Sequence, residues 1–275
     1  MSGDTAVEAE LTAREEGGVL WLTLDRPEAG NALTPAQRDR LVGLLHEASA
    51  RVATRVVVLT ATGRHFCTGA DLRASQGTPT HSDGVPERVV GDIGRVIATG
   101  AQRLVSAVLD CEKPVIAAVN GTAAGIGAHL ALACDLVLAA EGARFVEVFV
   151  RRGLVPDGGG AWLLPRLVGL QRAKELMFLG DALSAADAER YGLVNRVVPA
   201  DDLVAEATVW AARLAAGPTR ALAATKALLN RSLDTDRSSA FREEALAQEL
   251  NMATHDANEG VAAFVERRDP AYRGW

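Results

Sequence analysis

Two short runs of the sequence are apolar at nearly every position, and they constrain the fold more than any other feature. They read VVVLTA at residues 56–61 and PVIAAV at residues 114–119. Side chains alternate between the two faces of a strand, so a continuously apolar run indicates a strand that is buried on both faces. Stretches with helical periodicity separate these strands, which predicts an α/β fold with a largely parallel sheet and crossover helices.

The periodicity also suggests how the chain is divided. Strand-like and helix-like segments alternate up to about residue 195, whereas nearly everything from Asp201 onward has helical spacing. We therefore predict an α/β core over 1–195 and a helical C-terminal region over 196–275. Residues 1–14 are acidic and lack an apolar run, so we expect a loose tail there and no secretory signal.

Composition excludes several classes of function. The chain has 29 Lys and Arg against 35 Asp and Glu, a net charge of −6 without a block of like charge. This argues against a nucleic-acid partner held by a broad basic face. Its three cysteines are widely spaced and form no C-x-x-C pair, which favours a reduced, cytoplasmic protein without a metal framework. Residues 114–140 are long enough to cross a bilayer, but polar residues interrupt them, so a buried strand–helix–strand is predicted and no membrane partner.

Two glycine-containing turns follow predicted strands. They read FCTGADL at residues 66–72 and VNGTAAGIGAHL at residues 119–130. Each could be an ordinary strand-to-helix turn or a close backbone contact. Together, they place two backbone N–H donors near the same end of one sheet, which is the arrangement that an enolate or a tetrahedral oxyanion requires.

A third segment, LVPDGGGAW at residues 154–162, carries a single carboxylate between a proline and three glycines. Asp157 could cap the helix that follows, because Asp accepts hydrogen bonds from free N–H groups at a helix N-terminus. Alternatively, Val155, Pro156 and Trp162 could shield it from water and raise its pKa, which would make it a proton carrier near neutral pH.

The three segments together, in this order, resemble the enoyl-CoA hydratase/isomerase (crotonase) superfamily over about residues 15–270. LDRPEAGNAL near the start and LSAADAERYGLVNRVVP after the third segment support the resemblance. It implies a spiral ββα core with a helical C-terminal trimerisation region, a homotrimer or homohexamer, and acyl-CoA thioester substrates without a metal or other cofactor. It also implies an oxyanion hole formed by the N–H groups of Ala70 and Ile126.

The resemblance implies further binding residues. Ala29, Asp71 and Leu72 match the stretches that usually hold coenzyme A. The sequence does not single out the residues that bind the CoA phosphates, for which four arginines are candidates: Arg26, Arg73, Arg267 and Arg268.

The chain departs from the hydratase pattern at two positions. Hydratases of the family carry two glutamates where this sequence has His129 and Phe149. Glu147 lies two residues before Phe149, about 7 Å away if the strand is extended, and we do not expect it to replace the missing base. His129 is either a lone acid/base or a buried core residue.

The motif around Asp157 is similar to that of the phenylacetate-pathway isomerases and other isomerase branches, which use an acid here. Moving a double bond needs only one carboxylate. The sequence therefore predicts an acyl-CoA isomerase that shifts a double bond, or rearranges a ring-derived CoA thioester, with Asp157 and His129 as candidate catalytic residues. The alternatives are an enoyl-CoA hydratase with a non-standard acid/base and a catalytically silent acyl-CoA binding protein.

Overall fold

The computed structural model describes residues 10–74, 83–86 and 89–275. Residues 76–86 are polar and rich in turn-forming residues, so the sequence predicts a loop there. This predicted loop and the predicted N-terminal tail both lie partly outside the described residues.

Two parallel-rich sheets form the core. The first contains six strands in the order β1-β2-β3-β5-β7-β10 and the second contains four in the order β4-β6-β8-β9. The strands are β1 (Leu11–Glu16), β2 (Val19–Leu24), β3 (Val56–Ala61), β4 (His65–Cys67), β5 (Val115–Val119), β6 (Thr122–Ala124), β7 (Leu136–Ala140), β8 (Arg144–Val146), β9 (Ala182–Ser184) and β10 (Arg196–Val198).

Helices connect and cover these strands. They are α1 (Pro35–Ala50), α2 (Asp92–Ile97), α3 (Arg103–Leu109), α4 (Ile126–Leu132), α5 (Gly160–Leu179), α6 (Ala185–Arg190), α7 (Leu203–Ala215), α8 (Thr219–Arg231), α9 (Arg237–Asn251) and α10 (His255–Glu266). A π-helical turn joins α2 to α3. Successive strands alternate between the two sheets from β3 to β8, which builds the spiral of strand–strand–helix units that the resemblance implies. Within the described ranges, no helix has the length and apolar character that a membrane span requires.

Both apolar runs form strands that are buried on two faces, as predicted. In β3, Val56 and Val58 pack in a cluster with α7, whereas Val57 and Leu59 face the larger core on the opposite side. This alternation is the two-residue period of a strand. Helices therefore cover both faces of the six-stranded sheet, which explains why apolar residues dominate its central strands.

The N-terminal prediction is wrong from Leu11 onward. Residues Leu11–Glu16 form β1, which pairs antiparallel with β2 along its whole length. The turn between them consists of Gly17 and Gly18, both at positive φ (58° and 79°). Two consecutive residues at positive φ are typical of the tight turns that join antiparallel strands. Most of β1 is exposed because it is an edge strand, so it lacks the apolar pattern that marks the inner strands.

The C-terminal region packs closely on the core. Strand β10 lies beyond the boundary predicted at residue 195, yet it pairs with β7 in the six-stranded sheet. The guanidinium of Arg55, just before β3, donates to Thr219 Oγ1 at 2.9 Å and to the carbonyl oxygens of Gly217 and Tyr272. The division into two regions stays a prediction, and these contacts join the helical region to the sheet.

Candidate active site

The two glycine turns lie side by side because the strands that precede them are neighbours. Strand β4 pairs parallel with β6, so the segments that follow the two strands leave the four-stranded sheet at the same end. At the first turn, Leu33 forms a parallel bridge with Ala70, in which Leu33 N–H donates to Gly69 O and Asp71 N–H donates to Leu33 O. Backbone N–H groups of successive residues point in opposite directions along an extended chain. Since the N–H of Asp71 points into this bridge, the N–H of Ala70 points away from it. It has no hydrogen-bond partner in the described part of the chain.

The second N–H donor lies at the start of α4. Gly125, at φ 53° and ψ −124°, turns the chain so that Ile126 becomes the first helical residue. The first N–H groups of a helix lack acceptors within it, and none is recorded for Ile126 N–H among the described residues. A Cβ on Gly127 would lie 2.2 Å from Cys67 O, so the start of α4 rests directly on the end of β4. This contact keeps the two turns together.

Asp157 lies on the turn before α5 and does not cap this helix. The helix begins at Gly160 with Gly159 as its N-cap residue, and no side chain accepts a hydrogen bond there. The capping alternative is therefore wrong. Asp157 is half-buried, and its burial raises the pKa of the carboxyl above the usual value, while electrostatic attraction to His129 works in the opposite direction. The following residue, Gly158, packs against Ile126, which places the turn that carries Asp157 beside the helix start that carries the second donor.

The residues expected to shield Asp157 do so only in part. Val155 is 82% exposed, so it does not cover the carboxylate within one chain. Trp162 turns to the other side of α5, where its ring lies 4.2 Å from the Arg166 guanidinium carbon. There it lines a groove of about 460 Å³ between α5 and α8, and Asp157 is not among the lining residues. The apolar contacts around the Asp157 turn come instead from Ile126 and from Val105, which touches Gly159.

His129 lies beneath the Asp157 turn. It is fully buried on α4, and its Nε2 lies 3.0 Å from Oε2 of Glu147. Its ring stacks on Phe149 with centroids 5.4 Å apart, so the two positions that hold glutamates in hydratases face each other. Strand β8 ends at Val146, and Phe149 has helical dihedrals, so the extended geometry assumed for Glu147 is wrong. The turn allows both Glu147 and Phe149 to contact one imidazole.

The predicted coenzyme A residues lie together but have different environments. Thr68 donates to Gly30 O through its N–H at 3.1 Å and its hydroxyl at 3.0 Å, which places the turn containing Ala29 beside the first glycine turn. Leu72 is 66% exposed, as a residue available to a ligand should be. Asp71 is buried, and hydrogen bonds from Arg73 and Arg26 hold its pKa well below the usual range. Its carboxylate thus fixes the turn.

Asn31 is a structural residue of this site that the sequence analysis missed. It is buried at positive φ (54°), and its side-chain amide donates to the carbonyl oxygens of Thr62 and His65. Its Oδ1 also accepts from the N–H of Arg26 at 2.8 Å. These bonds join the chain around Arg26 to β4. A non-glycine residue at positive φ is visible only in the structure, although Asn is among the residues that tolerate this conformation.

Most of the arginines considered for the CoA phosphates already have acidic partners. Arg26 and Arg73 pair with Asp71, at 2.7 and 3.1 Å. Arg268 binds Glu259 and Glu266, each at 2.6 Å. Arg73 is largely exposed in spite of its ion pair. An exposed guanidinium can still approach a phosphate, whereas Arg26 is mostly buried and serves to position Asp71.

The arrangement can stabilise an anion and move a proton. The N–H groups of Ala70 and Ile126, which have no acceptor within the described ranges, lie at the end of one sheet, and such donors stabilise an oxyanion as its charge develops. A half-buried carboxylate with a raised pKa lies on the turn packed against the second donor. These are the parts needed to form and collapse an enolate.

Comparison with known proteins agrees with this geometry. The chain matches the enoyl-CoA hydratase/isomerase family over residues 14–274. It is 41% identical to "Probable enoyl-CoA hydratase" of Rhodobacter capsulatus, over 94% of this chain and 95% of the relative. It is 38% identical to the 1,2-epoxyphenylacetyl-CoA isomerase of Escherichia coli, over 96% of this chain and 98% of that protein. The crystal structure of the enoyl-CoA hydratase from Bacillus anthracis superposes with a TM-score of 0.87 at 32% identity, covering 97% of this chain and 100% of the other.

The spiral fold and the paired backbone donors define an enzyme with the crotonase architecture. The chain belongs to the enoyl-CoA hydratase/isomerase family.

Proposed function

We propose that this enzyme is an acyl-CoA isomerase, which shifts a double bond or rearranges a ring-derived CoA thioester through an enolate. Asp157 moves the proton, and the N–H groups of Ala70 and Ile126 bind the enolate oxygen. The observation that carries the proposal is the state of Asp157: it is half-buried, has a raised pKa, leaves the helix N-terminus to Gly159, and lies on a turn packed against Ile126.

The proposed reaction needs one acid/base. In a 3-enoyl-CoA, the Asp157 carboxylate takes a proton from Cα, and the electrons of the C–H bond delocalise onto the thioester oxygen. The resulting dienolate is stabilised by the two backbone donors, each of which contributes about 3 kcal/mol to the lowering of the barrier. The carboxyl of Asp157 then returns the proton to Cγ, and the double bond moves to Cα–Cβ. A raised pKa suits Asp157 to both steps because it must accept and then release the same proton.

The two positions that carry glutamates in hydratases support isomerisation over hydration. Adding water requires one group to activate the water and another to manage the α-proton. Here those positions hold His129, which is fully buried, and Phe149, which cannot carry a proton. The 38% identity to an epoxyphenylacetyl-CoA isomerase supports a substrate derived from a ring.

Hydration is the alternative, and the 41% identity to a protein named as a hydratase favours it. It would require His129 or Asp157 to act in an unconventional way. A catalytically silent acyl-CoA binding protein is the second alternative, which would bind acyl-CoA without turnover. The position of Asp157 beside the candidate hole favours a catalyst over a silent protein.

We also propose that the enzyme works as a homotrimer or homohexamer on a substrate that includes coenzyme A and needs no further cofactor. The support for assembly comes from α9 and α10, which leave six large apolar side chains more than half exposed. They are Phe241, Leu246, Leu250, Val261, Phe264 and Val265. Large exposed apolar patches mark interaction sites, and we propose that these side chains form such a patch. Light scattering coupled to gel filtration measures the assembly, and a monomer would contradict this part of the proposal.

Paired assays of wild type, Asp157→Ala and Asp157→Asn test the function. Each is assayed for isomerisation of a 3-enoyl-CoA and for hydration of a 2-enoyl-CoA. We expect wild type to isomerise efficiently and hydrate poorly, and both variants to lose isomerisation by at least about 100-fold, the range of a general acid/base. Binding of a saturated acyl-CoA should persist in both variants, because the backbone donors remain. Hydration that dominates in wild type and survives both substitutions would overturn the proposal.

A further inference from the structure

Glu147 and His129 form a buried pair that the proposed reaction does not use. The imidazole is fully buried, the carboxylate is 5% exposed, and Nε2 and Oε2 lie 3.0 Å apart. The other ring nitrogen, Nδ1, is buried without a hydrogen-bond partner among the described residues. Buried polar atoms are nearly always paired, so an unpaired ring nitrogen beside an active site needs an explanation.

The turn that carries Asp157 passes directly over the ring. A Cβ on Gly160 would lie 2.0 Å from His129 Nε2, and one on Gly158 would lie 3.5 Å from Nδ1. Only glycines allow the backbone to come this close. Asp157 immediately precedes Gly158, and no hydrogen bond of its carboxylate is recorded within the described residues. Nδ1 thus lies beside the turn at Gly158, the residue after Asp157, and neither polar group has a hydrogen-bond partner among the described residues.

The remaining contacts of this region are uncharged. Helix α3 and the turn before it contribute Val105 and Ala101, whose side chains touch Gly159 and Gly158. Strand β4 contributes Cys67, and burial raises the pKa of its thiol to about 12, so it stays neutral. Among the described residues, the ionisable groups that interact with His129 are therefore Glu147, through a hydrogen bond, and Asp157, through electrostatic attraction.

We propose that Glu147 and His129 are positioning residues for Asp157. Glu147 orients the imidazole through Nε2, and the ring presents Nδ1 to the Asp157 carboxyl, directly or through one water, and favours the ionised form of that carboxyl. This inference rests on the proposed role of Asp157 as the base that takes the α-proton.

The proposal gives His129 and Glu147 separate electrostatic roles. Burial favours the protonated form of Asp157, whereas electrostatic attraction to His129 favours the ionised form that accepts a proton. A buried cation is costly without a partner, and the Glu147 carboxylate supplies one. His129 does not touch the substrate in this arrangement because the glycine turn covers it. It acts through Asp157.

The test compares wild type with His129→Gln, Glu147→Gln and His46→Gln. His46 is an exposed histidine on α1, so its substitution is a matched control for the loss of an imidazole. The first readout is a carbon NMR titration of the Asp157 carboxyl in the free enzyme, assigned with Asp157→Asn. We expect the apparent pKa of Asp157 to rise by about one unit in His129→Gln, to rise less in Glu147→Gln, and to stay unchanged in His46→Gln.

The second readout is the pH dependence of isomerisation. We expect kcat/KM of His129→Gln to fall about tenfold at the acidic end of the profile and to recover as the pH rises and Asp157 ionises without the imidazole. A uniform loss at every pH, or an unchanged pKa of Asp157 in both site variants, would overturn the proposal. Thermal unfolding of each variant verifies that it is folded. The NMR titration does not depend on turnover: if Asp157→Asn isomerises like wild type, the proposed function fails while the titration still decides the role of the pair.

Discussion

Ile126 and Gly158 fit each other at the centre of the candidate site. A Cβ on Gly158 would lie 2.5 Å from Cδ1 of Ile126, a distance that no real Cβ contact shows. The Ile126 side chain is accommodated here by the absence of a side chain at Gly158. This contact connects the helix that carries the second N–H donor to the turn that carries Asp157.

We expect Gly158→Ala to destabilise the protein by about 2–4 kcal/mol. The new Cβ meets Ile126, and φ of +58° is unfavourable for an L side chain. Replacing Ile126 with Ala removes the steric clash but leaves the backbone strain. The double variant should therefore recover about 1–2 kcal/mol relative to the sum of the single variants. Urea unfolding of the four proteins measures the coupling, and strictly additive effects would contradict the contact.

Asp157→Asn should stabilise the fold at neutral pH. The folded-state pKa of Asp157 is raised, so ionisation disfavours the folded state, and this cost develops as pH rises above the unfolded-state value. Asn removes the charge at similar size. We expect Tm to rise by about 2–4 °C at pH 7, the change that about 1 kcal/mol produces in a chain of this length. The difference should vanish at about pH 3, and calorimetry that shows an equal gain at both pH values would refute the burial argument.

Asp71→Asn should destabilise the fold at neutral pH, and by more than Asp157→Asn stabilises it. The substitution removes the nearest charged partner of the mostly buried Arg26 guanidinium and leaves Glu10 and Glu28 at 3.7 and 3.9 Å, which costs about 3 kcal/mol at pH 7. Because the pKa of Asp71 is depressed, its contribution is present above the unfolded-state value and is lost as pH falls below about 4.

The control for Asp71 is Asp181→Asn. Asp181 pairs with Arg151 at 2.9 Å, but both side chains are exposed. Exposed ion pairs contribute little, so this variant should lose less than about 0.5 kcal/mol. Denaturant unfolding from about pH 3 to pH 8 separates the two variants. Equal losses would show that Asp71 contributes no more than a surface pair.

Lys226→Met should loosen the C-terminal helices from the core. Lys226 on α8 is buried and donates to Asp135 Oδ2 at 2.8 Å and to Val108 O at 2.9 Å. Removing the ammonium leaves Asp135 with its charge uncompensated, and we expect a loss of about 3 kcal/mol at pH 7. Hydrogen exchange should increase first in α8. Lys174→Met, at an exposed lysine on α5, is the control and should leave exchange unchanged.

Local patterns predicted most of the core. A capping box of Thr34 and Gln37 begins α1, and the apolar spacing of Leu41, Leu44 and Leu45 matches the buried face of this helix. Such features depend on residues a few positions apart. The two apolar runs likewise became inner strands because burial on both faces leaves a direct trace in the sequence.

The remainder depends on contacts between residues that are distant in the sequence. The contact between His129 and Glu147 joins positions 18 residues apart and exists because the chain turns after Val146, which the extended interpretation of FVEVFV could not anticipate. The shielding of Asp157 was assigned to its neighbours in sequence, whereas Ile126 and Val105 provide the contacts to its turn from other segments. Strand β1 was missed because an edge strand needs few apolar residues.

Residue 126 offers two properties that can be altered separately. Its N–H direction is set by the dihedrals of Gly125, whereas its side chain faces Gly158. Substitution of Ile126 therefore changes the room beside the acid without removing a hydrogen-bond donor. Engineering of acyl preference can begin at this position, since libraries at Ile126 would vary the shape of the site and leave its electrostatics constant.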